Sequence, residues 1–357
     1  MSLLSGCHVG RYVTLNTADV NDHKRFPYYD IQNSPPLFNF IEPENEHLPA
    51  IPESHNPKGK YVDFDQLLAK NKTSSFIVIR NDSILYERYF GEAGPETILP
   101  SFSIAKAFVS ALTGIAVKEG YIQDVHQPVT DFLTGFKHRG FEDVTIEHLL
   151  NMRSGIKFNE AYLNPFGHVA KFYYGQNLKK YVYKLKINKT PGSEYHYNSA
   201  SAVILAMIIE KTTAKKFAQY FEEKIWKKMG AKYPATWNYD SEKHGMVKAF
   251  CCINATARDF AKFGRLYINK GKLGEEQIIP EEWISYSMNV HNDSRDSEDY
   301  PYSYYWRVLS NGMVFSKGIL GQYIFLDPSK NLIIVRFGKN RGNVHWSALI
   351  EEVASQY

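Results

Sequence analysis

Pro100-Ser101-Phe102-Ser103-Ile104-Ala105-Lys106-Ala107-Phe108 is the stretch around which the rest of this chain can be read. It puts a serine at the entry to an apolar helix and a lysine three residues further on. Residues three apart are neighbours on a helix of about 3.6 residues per turn, so a helix starting at Ser103 sets Lys106 on the same face. Hydroxyl and amine then come within hydrogen-bonding reach. The helix N-terminus adds unpaired backbone N–H groups and partial positive charge, which favour an oxyanion nearby and the neutral form of the amine. These are the parts of an activated nucleophile. Behind the pair, Ile104, Phe108, Leu112, Ile115 and Ala116 recur at helical spacing and Gly120 follows as a stop signal.

Ser-x-x-Lys is a short pattern, and Ser154-Gly155-Ile156-Lys157 repeats it. There a glycine interrupts the motif after a predicted helix, so nothing holds the two side chains on one face and the segment reads as a turn. Two other stretches give Ser103 partners. Pro191-Gly192-Ser193-Glu194-Tyr195-His196-Tyr197-Asn198-Ser199 precedes an apolar helix containing Val203, Ile204, Leu205, Met207, Ile208 and Ile209. Tyr197 stands at its entry, where a phenol can relay protons between nucleophile and leaving group. Phe315-Ser316-Lys317-Gly318-Ile319-Leu320-Gly321-Gln322 carries glycines in a late strand, which lets backbone N–H groups approach a substrate carbonyl.

Further out, Ser75–Arg80 and Ile84–Phe90 are strand-like runs around Asn81-Asp82-Ser83, a hairpin signal. Asp143 to Leu150 predicts a helix capped by Thr145, with His148 a helix residue rather than a catalyst. Phe158 to Lys189 is irregular and aromatic, with Tyr162, Phe166, Phe172, Tyr173 and Tyr174, and fits either a cleft wall or a loop-rich core. Thr256-Ala257-Arg258-Asp259 approaches a capping box. From Tyr302 onward the period becomes that of strands, joined by turns at Asn311-Gly312 and Asp327-Pro328, which predicts an antiparallel meander closed by a helix over Trp346 to Ala354. Strands at both ends of a helical middle predict an α+β domain over 61–357. Its sheet subdomain takes about 61–135 and 298–357, its helical subdomain about 136–297. Residues 1–60, rich in Asn, Pro, His and acids without a period, read as an extended arm or tether.

With 357 residues and 44% apolar composition the chain can bury a large core. A net charge of +4 without a basic, aromatic-interleaved stripe argues against a nucleic-acid partner, and Lys179 to Lys189 reads as a solvated face. The three cysteines make no disulfide framework, and the adjacent Cys251 and Cys252 read as small buried residues rather than a bonded pair. No Cys-x-x-Cys, His-Glu-x-x-His or comparable cluster is present, so neither metal nor cofactor is expected. No apolar run reaches membrane-spanning length. Leu4-Ser5-Gly6-Cys7 resembles a bacterial lipobox without the charged and apolar regions of a signal peptide. Either Cys7 is a lipidation site behind an expression leader, which places the protein in the cell envelope or periplasm, or the tetrapeptide is a coincidence.

Taken together, Ser103-x-x-Lys106, Pro191-Gly192-x-x-Tyr195-x-Tyr197, Thr145 to Gly155, and Thr256 to Asp259 resemble, in order and spacing, the serine β-lactamase and penicillin-binding-protein superfamily over roughly residues 65–355. The branch they resemble holds class C β-lactamases, related esterases and 6-aminohexanoate-dimer hydrolases. The resemblance implies the β-lactamase/transpeptidase-like α+β fold and a serine hydrolase working through an acyl-enzyme on an amide, ester or lactam. Ser103 matches the nucleophile, Lys106 its base and Tyr197 the tyrosine of a Tyr-x-Asn motif. Ser199 replaces that asparagine, as in the Tyr-x-Ser form of the amide-hydrolase branch. The Lys-Thr-Gly motif aligns with Ser316-Lys317-Gly318, which makes the N–H groups of Ser103 and Ile319 an oxyanion hole and Ser199, Ser316 and Gly318 substrate contacts. Serine in place of that lysine removes a charge-assisted contact to a β-lactam carboxylate, and Lys317 should point to the opposite strand face, which argues against efficient β-lactamase activity. The implied partner is a small molecule or peptide with a carbonyl, with the membrane reached only through an N-terminal lipid. A D,D-peptidase acting on peptidoglycan and a penicillin-binding sensor that acylates without turnover are the alternatives; substrate and oligomeric state stay open.

Overall fold

The computed structural model describes residues 8–42 and 45–357, so Cys7 and its lipidation lie outside the described residues. The chain begins with α1 (His8–Leu15), β1 (Tyr28–Ile31) and α2 (Phe64–Lys70), the last capped by the Asp63 carboxylate accepting from Gln66 N–H. The predicted hairpin follows as β2 (Thr73–Arg80) and β3 (Ser83–Tyr89). Asn81 and Asp82 both take left-handed φ, 50° and 63°, as a tight turn matched to strand twist requires. Next come β4 (Leu99–Pro100), α3 (Ala105–Lys118), α4 (Val129–Phe132), α5 (Ile146–Leu150), α6 (His168–Tyr174), α7 (Leu178–Val182), α8 (Ala200–Thr213) and α9 (Phe217–Phe221). The chain continues through β5 (Ala235–Asn238), β6 (Ile253–Ala255), α10 (Ala257–Ile268), a short hairpin of β7 (Lys272–Leu273) and β8 (Glu276–Gln277), and α11 (Glu281–Ser287). It closes with β9 (Tyr302–Ser303), β10 (Trp306–Val308), β11 (Val314–Gly318), β12 (Gln322–Asp327), β13 (Leu332–Gly338) and α12 (Trp346–Ala354).

The main sheet has seven antiparallel strands in the order β3-β2-β13-β12-β11-β10-β9, which joins the early hairpin to the late meander. Both its faces are covered, and the two-residue alternation of side chains shows how. Phe76, Val78, Phe325 and Ile334 pack on one side with Phe64 of α2 and Trp346 and Leu349 of α12. Ile77, Ile79, Ile324 and Val335 face the other side, toward α3 and α10. α3 is the central helix: every residue from Ala105 to Ala116 is buried, Phe108 stacks on Phe263 of α10 with ring centroids 3.6 Å apart, and Trp283 of α11 lies against Gly114. Capping follows the sequence. Thr145 accepts from His148 N–H, and Thr256 accepts from Asp259 N–H while its hydroxyl donates to the Asp259 carboxylate.

Three expectations need correction. The helical middle is not wholly helical, because β5 and β6 join β1 and β4 in a second sheet of order β1-β5-β6-β4. Strands of two to four residues are too short to show a period. Nor is the N-terminal segment simply an extended arm: β1 pairs with β5, Phe26, Ile31 and Phe40 are buried in the main core, and the Asn238 side chain donates to the carbonyls of His23 and Phe26 at 3.1 Å each. The third correction concerns the cysteines. Cys251 and Cys252 are buried as expected, yet they are bonded to each other, with Cys252 in a left-handed conformation at φ 74°.

Candidate active site

Ser103 sits in a single 3-10 turn, Phe102–Ile104, between β4 and α3. β4 pairs with β6, and Ser101 N–H donates to the Ile253 carbonyl at 2.9 Å, which anchors the chain just before the turn. Phe102 takes a φ of 45°, an unusual conformation for a bulky residue and of the kind found at functional turns. α3 then presents Lys106 one turn later. The lysine is 1% exposed, and its Nζ donates to Ser103 Oγ at 3.1 Å and to the Phe250 carbonyl at 2.8 Å. The Tyr197 ring lies 5.0 Å from the same nitrogen. Among the described residues no carboxylate pairs with Lys106; a hydroxyl, a carbonyl and aromatic faces surround it. The sequence motif therefore meets in space, with Tyr197 beside it at the entry to α8.

β11 delivers the third part. A Cβ on Gly318 would lie 2.5 Å from the Ser101 carbonyl and 3.1 Å from Ser103 N, so the strand passes directly against the Ser103 turn and only glycine fits there. Ile319 opens a 3-10 turn with Gly321, in which Leu320 takes φ 64°. Arg336 on β13 props that turn: it is fully buried, stacks over Trp346 at 3.5 Å, and its guanidinium donates to the carbonyls of Gly321 and Asn71 at 2.5 and 3.1 Å. The N–H groups of Ser103 and Ile319 are thus carried on two rigid turns in contact.

Two compartments meet at Ser103. An apolar cavity of about 250 Å³ includes Val169, Ala170, Tyr173, Phe250 and Ser199 in its wall. A polar groove of about 670 Å³ is bordered by Tyr195, Tyr197, Lys317 and Gly318. Ser103, Tyr162, Ile319 and Leu320 belong to both. Of the irregular aromatic segment, Tyr162, Tyr173 and Tyr174 wall the cavity, whereas Phe172 is core.

Ser316, aligned with the binding lysine of related sites, does not reach substrate space. It shares its strand face with Val314, which is in the core, and with Gly318; it is 1% exposed and lines neither compartment. Packing β11 against the Ser103 turn forces that face inward. Lys317 does point the other way, yet it borders the groove, where its Nζ pairs with Asp296 at 3.2 Å and Glu298 at 3.0 Å. Arg307 joins the network through Asp296 at 2.9 Å. Burial alone would raise the Asp296 carboxyl, but the Arg307 and Lys317 cations outweigh it and hold it below the ordinary carboxylate range. Glu298 is likewise held low against its burial by Lys317 and Arg341.

Ser199 does line the cavity, but its hydroxyl is committed to Glu160 at 2.6 Å, and Glu160 also accepts from Ser199 N–H at 2.9 Å and from the Tyr162 hydroxyl at 3.0 Å. Tyr162 borders the same two compartments as Ser103. Desolvation against the site and then the neighbouring Glu160 carboxylate raise its phenol above the usual value, although the side chain is 40% exposed, and the hydroxyl donates to Glu160. Glu160 and Tyr162 are the residues the motifs missed. The only sequence signal for them was the aromatic density after Phe158. His148 and Ser154 play the structural parts expected of them: His148 Nδ1 accepts from Thr145 N–H at 3.3 Å, and the Ser154 motif is broken by Gly155 at φ 67°.

A family model described as Beta-lactamase matches residues 64–351. The 6-aminohexanoate-dimer hydrolase of Paenarthrobacter ureafaciens is 25% identical over 309 residues, covering 80% of this chain and 78% of that protein. A solved structure from Bacillus anthracis, named for the same hydrolase, superposes with a TM-score of 0.80 at 26% identity and covers 93% of this chain and 89% of its own. The teichoic acid D-alanine hydrolase of Staphylococcus aureus is 21% identical, covering 83% of this chain and 77% of that protein. The match over 64–351 takes in the whole of the main sheet, the Ser103 turn and α3, and this chain belongs to the β-lactamase family of serine hydrolases.

Proposed function

We propose that Ser103 is the acylated nucleophile of an amide or ester hydrolase, with Lys106 and Tyr197 moving its proton. The observation that carries this is the 3.1 Å contact of Lys106 Nζ with Ser103 Oγ in a setting without a carboxylate partner among the described residues. Ser103 Oγ bonds to the substrate carbonyl carbon as its proton passes to the amine. The N–H groups of Ser103 and Ile319 receive the developing oxyanion. The intermediate collapses when the leaving nitrogen or oxygen takes the proton from the Lys106–Tyr197 pair, and water later releases the acyl group and restores Ser103. Tyr162 and Glu160, hydrogen-bonded to each other, line the groove beside Ser103.

A linear amide or ester is favoured over a β-lactam. Relatives are named for hydrolysis of a 6-aminohexanoate dimer and of teichoic acid D-alanine. The Lys317 ammonium is held by Asp296 and Glu298, so its position is committed to that network rather than to a substrate carboxylate. The Leu4–Cys7 tetrapeptide and the teichoic acid relative support a place in the cell envelope, with Cys7 lipidated. Among the described residues no helix is long and apolar enough to cross a membrane. A fluorophosphonate probe should label Ser103, and Ser103→Ala should lower p-nitrophenyl ester turnover by at least about 10³-fold. Equal turnover in that variant would sink the assignment.

A further inference from the structure

The proton path decides which half of a substrate enters each compartment. Tyr197 borders the polar groove and not the apolar cavity. On the acyl-enzyme reading, on which this inference rests, the proton taken from Ser103 Oγ is returned to the departing nitrogen or oxygen from the side of Tyr197. The leaving group therefore lies in the groove. The acyl group, which keeps its new bond to Ser103 Oγ while the old carbonyl–nitrogen or carbonyl–oxygen bond breaks, occupies the cavity.

One wall of that cavity comes from outside the catalytic fold. Thr17 and Ala18 line it, although the family match begins at residue 64. They are held there from both sides along the chain. The Tyr174 hydroxyl donates to the Asn16 carbonyl at 2.6 Å, and the Tyr173 hydroxyl donates to the Asp22 carboxylate at 2.9 Å. Beyond Asp22, Phe26 is buried with the buried Lys248 Nζ 3.2 Å from its ring centre. The two tyrosines that clamp the segment are themselves cavity walls on α6, so segment and cavity form one unit. With Val169, Ala170 and Phe250 completing the lining, the space offers an alkyl chain apolar contact and few hydrogen-bonding groups.

We infer that the N-terminal segment at Thr17–Ala18 closes an acyl-chain pocket, and that this hydrolase selects substrates with an apolar, several-carbon acyl half and a polar leaving group. Each methylene buried there should raise kcat/KM about fourfold until the cavity is full. The test is a series of p-nitrophenyl acetate, butyrate and hexanoate on the wild-type chain, Ala18→Trp and Ala170→Phe, with Ser103 labelling by a small fluorophosphonate measured in parallel. The wild-type rate should climb from acetate to hexanoate, and each variant should lower the hexanoate-to-acetate ratio at least tenfold. A damaged fold would depress both esters together and leave that ratio unchanged. A wild-type profile that is flat or falls with chain length, or an unmoved ratio in both variants, overturns the pocket while labelling at Ser103 preserves the hydrolase reading. Absence of labelling and of all ester turnover overturns both.

Discussion

Gly318→Ala is the most direct test of how the site is built. The added methyl carbon would sit 2.5 Å from the Ser101 carbonyl oxygen, 3.0 Å from Phe102 Cβ and 3.1 Å from Ser103 N. Two of the three neighbours are backbone atoms of the Ser101–Ser103 turn, and Ser101 is tied to β6, so no flexible side chain can yield. Restoring an ordinary contact of 3.4 Å to the carbonyl requires β11 and the turn to separate by about 0.9 Å. That separation lies between the two N–H groups assigned to the oxyanion. Loss of one such donor lowers turnover by about 10²–10³-fold, and a misplacement near 1 Å by about 10²-fold. We expect kcat/KM for p-nitrophenyl butyrate to fall by about 10²-fold, with an overpacking cost of about 1–3 kcal/mol in denaturant unfolding. Gly94→Ala, whose Cβ meets nothing within 4 Å, should be silent and serves as the control. Turnover within about threefold of wild type in Gly318→Ala would refute the placement of the oxyanion hole between these two segments.

Glu160→Gln replaces an acceptor of three hydrogen bonds by a group that must turn N–H toward donors, and kcat should fall about 10–100-fold through disorder of Tyr162 and Ser199; kcat within about twofold of wild type would refute that anchoring role. Arg336→Met leaves the buried Gly321 and Asn71 carbonyls without their donor, so the variant should lose about 3 kcal/mol or more in urea unfolding, and an unchanged midpoint would show that the turn does not depend on this prop. Asp296 and Glu298 are held below their unfolded values, so the unfolded chain binds more protons in that range and the stability they add is lost as pH falls through their native values. Melting temperature should therefore drop below about pH 4, more steeply in the wild type than in Asp296→Asn; parallel curves would count against the network.

Local patterns were legible wherever one chemical signal acts over a few residues. Ser103 and Lys106 are three residues apart across a 3-10 turn that runs into α3, Asn81-Asp82 demands left-handed backbone, Thr145 and Thr256 announce helix starts, and the strands of the β9 to β13 meander are set off by their turn residues. The helix over Trp346 to Ala354 is found where its sequence placed it. Other features depended on partners far away in the chain. Ser316 and Lys317 are adjacent, and their opposite faces follow from any strand; which face meets the nucleophile is set only when β11 packs against the Ser101–Ser103 turn.

What the sequence by itself determined is the family: Ser103, Lys106 and Tyr197 stand in motifs whose order and spacing resemble those of one superfamily of serine hydrolases, on a sheet shared by both chain ends. What only the tertiary structure decided is the shape of the space around that chemistry. Glu160 and Tyr162 reach the site from an irregular segment, Thr17 and Ala18 reach the cavity from the N-terminal segment, and Cys251 closes on Cys252 beside the carbonyl that holds Lys106. The reason is that each motif is written in short-range spacing, whereas a pocket wall needs only bulk and polarity at a point in space, which many sequences and distant segments can supply.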